Sequence, residues 1–169
     1  AQNVIINEIM CHPLQPTFGA EPVGEEFIEL FNPGTNAVSL NGWHFDQGVA
    51  FTFSNVTLAG GSYLVVAANR TVFLAKYPGI TNVVGSWAGT LGNNGESIRL
   101  VNAVGDTVDR VSYGTEGDWA SRQRSANDMG TRGWIWNCPG DGFGKSLELR
   151  NPFLGHNQGQ NWAPSGPMG

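Results

Sequence analysis

Short segments in which apolar and polar residues alternate recur along the chain, and they restrict its possible folds more than any other feature. They cover residues 4–9, 26–31, 37–45, 49–54, 59–68, 96–103, 106–114 and 146–152. Clusters of Gly, Pro and Asn separate them at intervals of about 8–12 residues. About eight short strands with this spacing predict an all-β sandwich or barrel. The tight turn between the sixth and seventh segments predicts a hairpin there.

One segment, residues 69–79, has helical rather than strand periodicity. Val72, Phe73, Leu74 and Tyr77 lie at helical spacing, and Asn69 stands at the N-cap position. Pro78-Gly79 would end the helix. We expect one short helix that covers one end of the sandwich.

The segment from 115 to 145 lacks clear periodicity and contains Trp119, Trp134 and Trp136. It is longer than most loops, and long loops are often functional. We expect a single domain over residues 1–169, with 115–145 as an irregular insertion and 163–169 as a tail.

Residues 24–33, GEEFIELFNP, place three carboxylates in an apolar run. Because side chains alternate along a strand, Ile28 and Leu30 would share one face with Glu26, and Glu29 would lie on the solvent face between two phenylalanines. This interpretation spreads the acidic residues along strands and turns, and it predicts no converging acidic cluster.

The charge balance argues against a nucleic-acid partner. Nine Lys and Arg face 14 Asp and Glu, for a net charge of −5, and the single small basic cluster is Arg122, Arg124 and Arg132. A protein that follows a phosphate backbone needs a basic face. No apolar stretch reaches the ~18 residues that a membrane span requires.

The first residues, Ala-Gln-Asn, lead directly into a strand-like segment. Such a start is typical of a chain from which a signal peptide has been removed. We therefore expect an extracellular or cell-surface location.

The sequence predicts no catalytic residue and no cofactor. His12, His44 and His156 lie far apart without a placed partner, and no G-x-S-x-G nucleophile elbow is present. Asp118 and Asp128 are weak candidates for Ca²⁺ ligands, because the chain lacks the D-x-D-x-D-G calcium loop.

The two cysteines, Cys11 and Cys138, leave two alternatives open. They can form one disulfide bridge, which would close a loop over most of the chain, or remain as two buried free thiols. An oxidising compartment favours the bridge.

The tryptophans also leave two alternatives. They can pack as caps over the ends of the sandwich, or some of them, with Trp119, Trp134 and Trp136 as the candidates, can form a contact surface for sugar or for a protein.

The order of motifs along the chain is similar to that of a known family. VIINEIM, GEEFIELFNPG, VSLNGWHF, LAGGSYLVVA, GTLGNNGESIRLVNAVGDTVDRVSYG and DGFGKSLELRNP resemble the lamin-tail domain in its exported bacterial form. The resemblance implies an immunoglobulin-like β-sandwich without catalytic residues, used as an accessory module in large exported proteins. Cys11 stands where the family usually has Tyr, and Cys138 lies in a segment, 119–138, that resembles an insertion of one subgroup. The resemblance thus implies a bridge that ties the insertion to the first strand.

Together these features predict a non-catalytic extracellular module for interaction or assembly, structural or adhesive in role. Its partners would be other protein domains or copies of itself, contacted through sheet edges and the Trp-containing insertion. The alternative is a carbohydrate-binding module that uses exposed Trp rings. A Ca²⁺-dependent accessory domain of a surface enzyme is the third hypothesis.

Overall fold

The computed structural model describes residues 4–166. The opening Ala-Gln-Asn and the last three residues of the predicted tail lie outside this range. The described residues form fourteen strands: β1 (Ile5–Met10), β2 (Phe27–Phe31), β3 (Val38–Ser39), β4 (His44–Gln47), β5 (Phe51–Thr52), β6 (Thr57–Leu58), β7 (Tyr63–Ala67), β8 (Val83–Gly85), β9 (Gly95–Val101), β10 (Thr107–Gly114), β11 (Ser121–Arg124), β12 (Trp134–Asn137), β13 (Leu147–Leu149) and β14 (Trp162–Pro164). They also form one α-helix, α1 (Arg70–Lys76), and short 3₁₀ turns at Val23–Glu25, Gly117–Trp119 and Gly159–Asn161.

Two larger sheets make the sandwich. The first has six strands in the order β14-β13-β1-β2-β7-β8, and the second has four in the order β10-β9-β4-β5. All pairs in them are antiparallel except β7–β8, which is parallel. Two small sheets, β3–β6 and β11–β12, complete the set. This arrangement confirms the predicted all-β, immunoglobulin-like sandwich.

The main core lies between the two larger sheets. Its most buried side chains include Ile28 and Leu30 from β2 and Phe45 from β4. They come from alternate positions of their strands, as the polar-apolar alternation predicted. The predicted β9–β10 hairpin is also present.

A β-bulge in β1 changes which side chains face the core. The pairing of β1 with β2 shifts between Ile6 and Glu8, and the consecutive residues Ile5 and Ile6 are both buried. The Ile6 backbone N–H donates to Asp109 Oδ2 on β10 at 2.7 Å. One carboxylate therefore links the two sheets.

The predicted helix is present, but it packs elsewhere than expected. Asn69 Oδ1 accepts from the backbone N–H groups of Thr71 and Val72, which confirms the N-cap. Phe73 packs with outward-facing residues of the six-stranded sheet in a second hydrophobic cluster. The helix thus covers part of the outer face of that sheet instead of an end of the sandwich, because it connects the parallel strands β7 and β8.

The structure adds detail to two parts of the predicted domain organisation. The segment 115–145, predicted as an irregular insertion, contains the β11–β12 hairpin and a 3₁₀ turn between irregular stretches. Ala163 and Pro164, in the predicted tail 163–169, pair with β13. In both places short strands form from residues without an apolar alternation, so the sequence pattern did not reveal them.

Candidate interaction surfaces

The β11–β12 hairpin is an exposed two-stranded ribbon. Of its eight strand residues, seven are exposed, including Trp134 at 51%, Ile135 at 51% and Trp136 at 46%. Its strands pair only with each other among the described residues. A two-stranded hairpin is marginal by itself, and unpaired edges and exposed large apolar side chains commonly mark contact sites.

The hairpin has one face that combines tryptophan with arginine. The register sets Arg124 opposite Trp134 and Arg122 opposite Trp136, and directly opposed residues share a face. The guanidinium carbons of Arg122 and Arg124 lie 4.4 and 4.3 Å from the centre of the Trp134 ring. Such cation–π contacts hold the arginines in place beside the indole. We call these four residues the Trp/Arg face.

The other tryptophans have structural positions. Trp87 and Trp162 are buried, whereas Trp43 and Trp119 are partly buried against the main core. The Trp119 ring lies 5.8 Å from that of Trp162. The structure therefore separates the predicted contact residues, since Trp134 and Trp136 lie together on the hairpin and Trp119 packs at its base.

Three glutamates form a row across the outer face of the six-stranded sheet. Glu8 lies opposite Glu148 on one neighbouring strand and opposite Glu29 on the other. All three are partly buried. This carboxylate row corrects the expectation that the acidic residues do not converge. The sequence could not show it, because the three positions are far apart and only the strand register aligns them.

The pKa of Glu8 is raised to about 7, mainly by burial. The hydrogen bond that the Ser146 hydroxyl donates to Glu8 lowers this pKa, whereas the charges of Glu29 and Glu148 raise it. Burial and the Glu148 charge also raise the pKa of Glu29, although the Asn7 amide donates to Glu29 Oε1 at 3.0 Å. Like charges directly opposite one another destabilise a sheet. The row therefore concentrates acidic groups that resist simultaneous ionisation, at some cost to stability.

A different glutamate is fully buried. Glu26 has 0% exposure and points to the core side of β2, as the alternation predicted. Its Oε2 accepts from the Leu91 backbone N–H at 2.9 Å, while its Oε1 has no hydrogen-bond partner among the described residues. Burial is the main reason that the pKa of Glu26 is raised to about 7. The Leu91 hydrogen bond lowers this pKa, and the charges of Glu21 and Glu96 raise it.

This pKa predicts a pH-dependent stability. The folded state holds the Glu26 proton more tightly than the unfolded chain, so the stabilisation is complete below the unfolded value of 4.5 and is lost as pH rises through about 7. Between pH 5 and pH 8, the free energy of unfolding should fall by on the order of 2 kcal/mol more in the wild type than in Glu26→Gln. Urea titrations at several pH values measure the difference. Glu116→Gln, at an exposed acid, is the control, and parallel pH curves for wild type and Glu26→Gln would contradict the prediction.

Two histidines have carboxylate partners, contrary to the expectation from sequence. His12 Nδ1 lies 2.6 Å from Asp141 Oδ1, and His156 Nδ1 lies 2.8 Å from Asp109 Oδ1. The Asp109 contact raises the pKa of His156. In residues 4–166, neither imidazole has a hydroxyl or thiol among its hydrogen-bond partners. These pairs therefore lack the nucleophile of a catalytic triad. The first joins two loops, and the second joins a loop to β10.

The two cysteines are buried free thiols in the same core cluster. The structure has no bond between Cys11 and Cys138, so the predicted bridge is not confirmed. Burial raises the pKa of Cys11 to about 12, and the Cys138 thiol contributes to the shift.

The weak calcium candidates lie in different surroundings. Asp118 is in the 3₁₀ turn that packs on Gly159, and Asp128 is in the turn of the hairpin, where its backbone pairs with Thr131. Within residues 4–166, no group of three His, Cys, Asp or Glu side chains is placed to hold a metal ion.

A sequence model of the family described as Lamin Tail Domain matches residues 1–115. The chain belongs to this family. Lamin tail domains are immunoglobulin-like and form a non-enzymatic family. The match ends before the hairpin, which lies in the part of the chain that this model does not cover. No curated protein matches the chain at a significant level.

The single α-helix among the described residues of this lamin tail domain is far too short to span a membrane.

Proposed function

We propose that this lamin tail domain is an extracellular, non-catalytic module for interaction and assembly, and that the β11–β12 hairpin is its main contact surface. The observation that carries the proposal is the hairpin itself, with two edges unpaired and Trp134, Ile135 and Trp136 about half exposed. Tryptophan and arginine are the residues most enriched at interface hot spots. The low charge content of 14% and the two buried cysteines are compatible with an exported protein.

The Trp/Arg face fits a protein partner better than a sugar. A sugar platform needs a bare ring face, whereas two guanidinium groups already lie against Trp134. Arginines held by a ring lose less side-chain entropy on binding and can pair with carboxylates. These contacts support an acidic protein surface as the partner.

The double substitution Trp134→Ala/Trp136→Ala tests this proposal. Proteins from the exterior of the cells that make this chain are passed over immobilised domain, and the retained fraction is measured. We expect retention to fall by about tenfold or more, because hot-spot truncations commonly have this effect. The free energy of unfolding should change by less than about 1 kcal/mol, because the Trp134 and Trp136 side chains are about half exposed.

Phe18→Ala/Phe153→Ala is the matched control. It removes two exposed aromatic side chains elsewhere, at 91% and 68% exposure, and it should retain partners like the wild type. Equal losses in both variants, or intact retention with strongly reduced stability in the tryptophan variant, would overturn the proposal.

A further inference from the structure

The outer face of the six-stranded sheet has a cleft beside helix α1. It has a volume of about 280 Å³, and its apolar lining includes Met10, Phe27, Val65, Phe73 and Tyr77. These side chains belong to or adjoin the second hydrophobic cluster, so the apolar surface of that cluster is open on this side. An apolar cleft of this kind suits large side chains of a partner.

The carboxylate row of Glu8, Glu29 and Glu148 lines the same cleft. It also lines a second cleft of about 460 Å³, on the side where Phe31 and Tyr63 stack with their centres 4.5 Å apart. Tyr63 is 44% exposed. The face therefore presents apolar surface, three acids and an aromatic pair next to one another, with Arg150 as the one basic residue that lines the second cleft.

The charges of this face and of the hairpin are complementary. The hairpin and its turn contain three of the nine basic residues of the chain, Arg122, Arg124 and Arg132. In residues 4–166, none of these arginines and none of the three glutamates of the row has an ion-pair partner. The molecule thus has one unpaired basic cluster beside exposed tryptophans and one unpaired acidic row beside apolar clefts.

We infer that the partner of the hairpin is a second copy of this chain, and that the Trp/Arg face docks on the carboxylate row and clefts of that copy. This inference rests on the proposed function. The arginines pair with the row, and the apolar cleft receives tryptophan. Because the two surfaces differ, the contact is heterologous and repeats from copy to copy, which builds an open chain or a ring.

Two variants, each lacking one of the surfaces, test this arrangement. Trp134→Ala/Trp136→Ala removes the docking side chains, and Glu29→Lys/Glu148→Lys reverses charge in the row. The second change replaces repulsion by attraction toward Glu8, but it also removes the acceptor of the Asn7 amide at Glu29. Urea unfolding of each variant therefore accompanies the association measurement and verifies that the variant is folded. Asp106→Lys/Glu116→Lys makes the same charge change at two exposed acids away from this face and serves as control.

Sedimentation velocity at increasing protein concentration gives the readout. The wild type and the control should form species larger than dimers, and each surface variant alone should associate about tenfold or more weakly. An equimolar mixture of the two surface variants should form dimers and nothing larger, because one intact hairpin meets one intact acidic face. Raising NaCl from about 0.05 to about 0.5 M should weaken wild-type association, since salt screens exposed charges.

Other outcomes overturn the inference in distinguishable ways. Association of the glutamate variant at wild-type strength would indicate contact between two hairpins or two sheet edges. A wild type that remains monomeric at its highest soluble concentration would exclude self-docking. In that case the proposed function still stands if the tryptophan variant loses its retained partners, and it fails as well if retention is unchanged.

Discussion

Refolding the chain with oxidised glutathione is expected to join Cys11 to Cys138 and to raise the free energy of unfolding by about 4–5 kcal/mol. The reaction removes two thiol hydrogens, forms one S–S bond and converts one glutathione disulfide to two glutathione thiols. The stabilisation is large in the chain-entropy model because the bridge would close most of the chain into one loop. Both thiols already lie in the main core cluster.

The bridge should form during folding and not afterwards. Thiol exchange requires a thiolate, and burial raises the pKa of Cys11 to about 12 in the folded domain. Adding oxidised glutathione to the folded, reduced domain should therefore leave both thiols free for far longer than refolding in the same buffer. Thiol titration and mass measurement follow the reaction, and urea unfolding gives the stability.

Cys138→Ala is the control for the oxidation experiment. The free energy of unfolding of this variant should be the same after refolding with and without oxidant. In both conditions it should lie below that of the reduced wild type, because the buried side chain is smaller. Two titratable thiols in the wild type after oxidative refolding would show that the core does not allow the bonding geometry.

Asp109→Ala is expected to lower the free energy of unfolding by about 3 kcal/mol. Asp109 Oδ2 accepts the Ile6 N–H, and its carboxylate also contacts His156 Nδ1. Removing it leaves a fully buried N–H without this acceptor, at a cost of about 1–3 kcal/mol, and removes the partner of a partly buried imidazole. The three elements that it connects are β1, β10 and the loop before β14.

The pH dependence separates the two contributions of Asp109 to the free energy of unfolding, one through His156 and one through the Ile6 N–H. Asp109 raises the pKa of His156, so this contribution is complete below the unfolded value of 6.5 and is lost as pH rises through the higher folded value. The difference between wild type and Asp109→Ala should therefore shrink in alkaline buffer, while the part due to Ile6 remains. Asp106→Ala, in the exposed turn between β9 and β10, is the control. A change below about 0.5 kcal/mol for Asp109→Ala would contradict the prediction.

The described fold was predicted best where local pattern and packing agree. Alternating apolar residues placed Ile28 and Leu30 in the core, and the Asn69 cap marked the start of the helix, since both signals depend on residues that are near in sequence. The hairpin strand Ser121–Arg124 is entirely polar, so its pairing with Trp134–Asn137 was missed. The sequence shows the tryptophans and the arginines of this hairpin, but their shared face depends on the strand register.

The sequence alone determined that the chain makes a β-sandwich with little charge and few basic residues, because alternation and composition are local properties. Tertiary structure decided where charge concentrates. The register of β13, β1 and β2 aligns Glu148, Glu8 and Glu29, and the bulge in β1 brings Ile6 to Asp109. Cross-strand neighbours depend on which distant segments pair, and the pattern within one segment does not identify its partner.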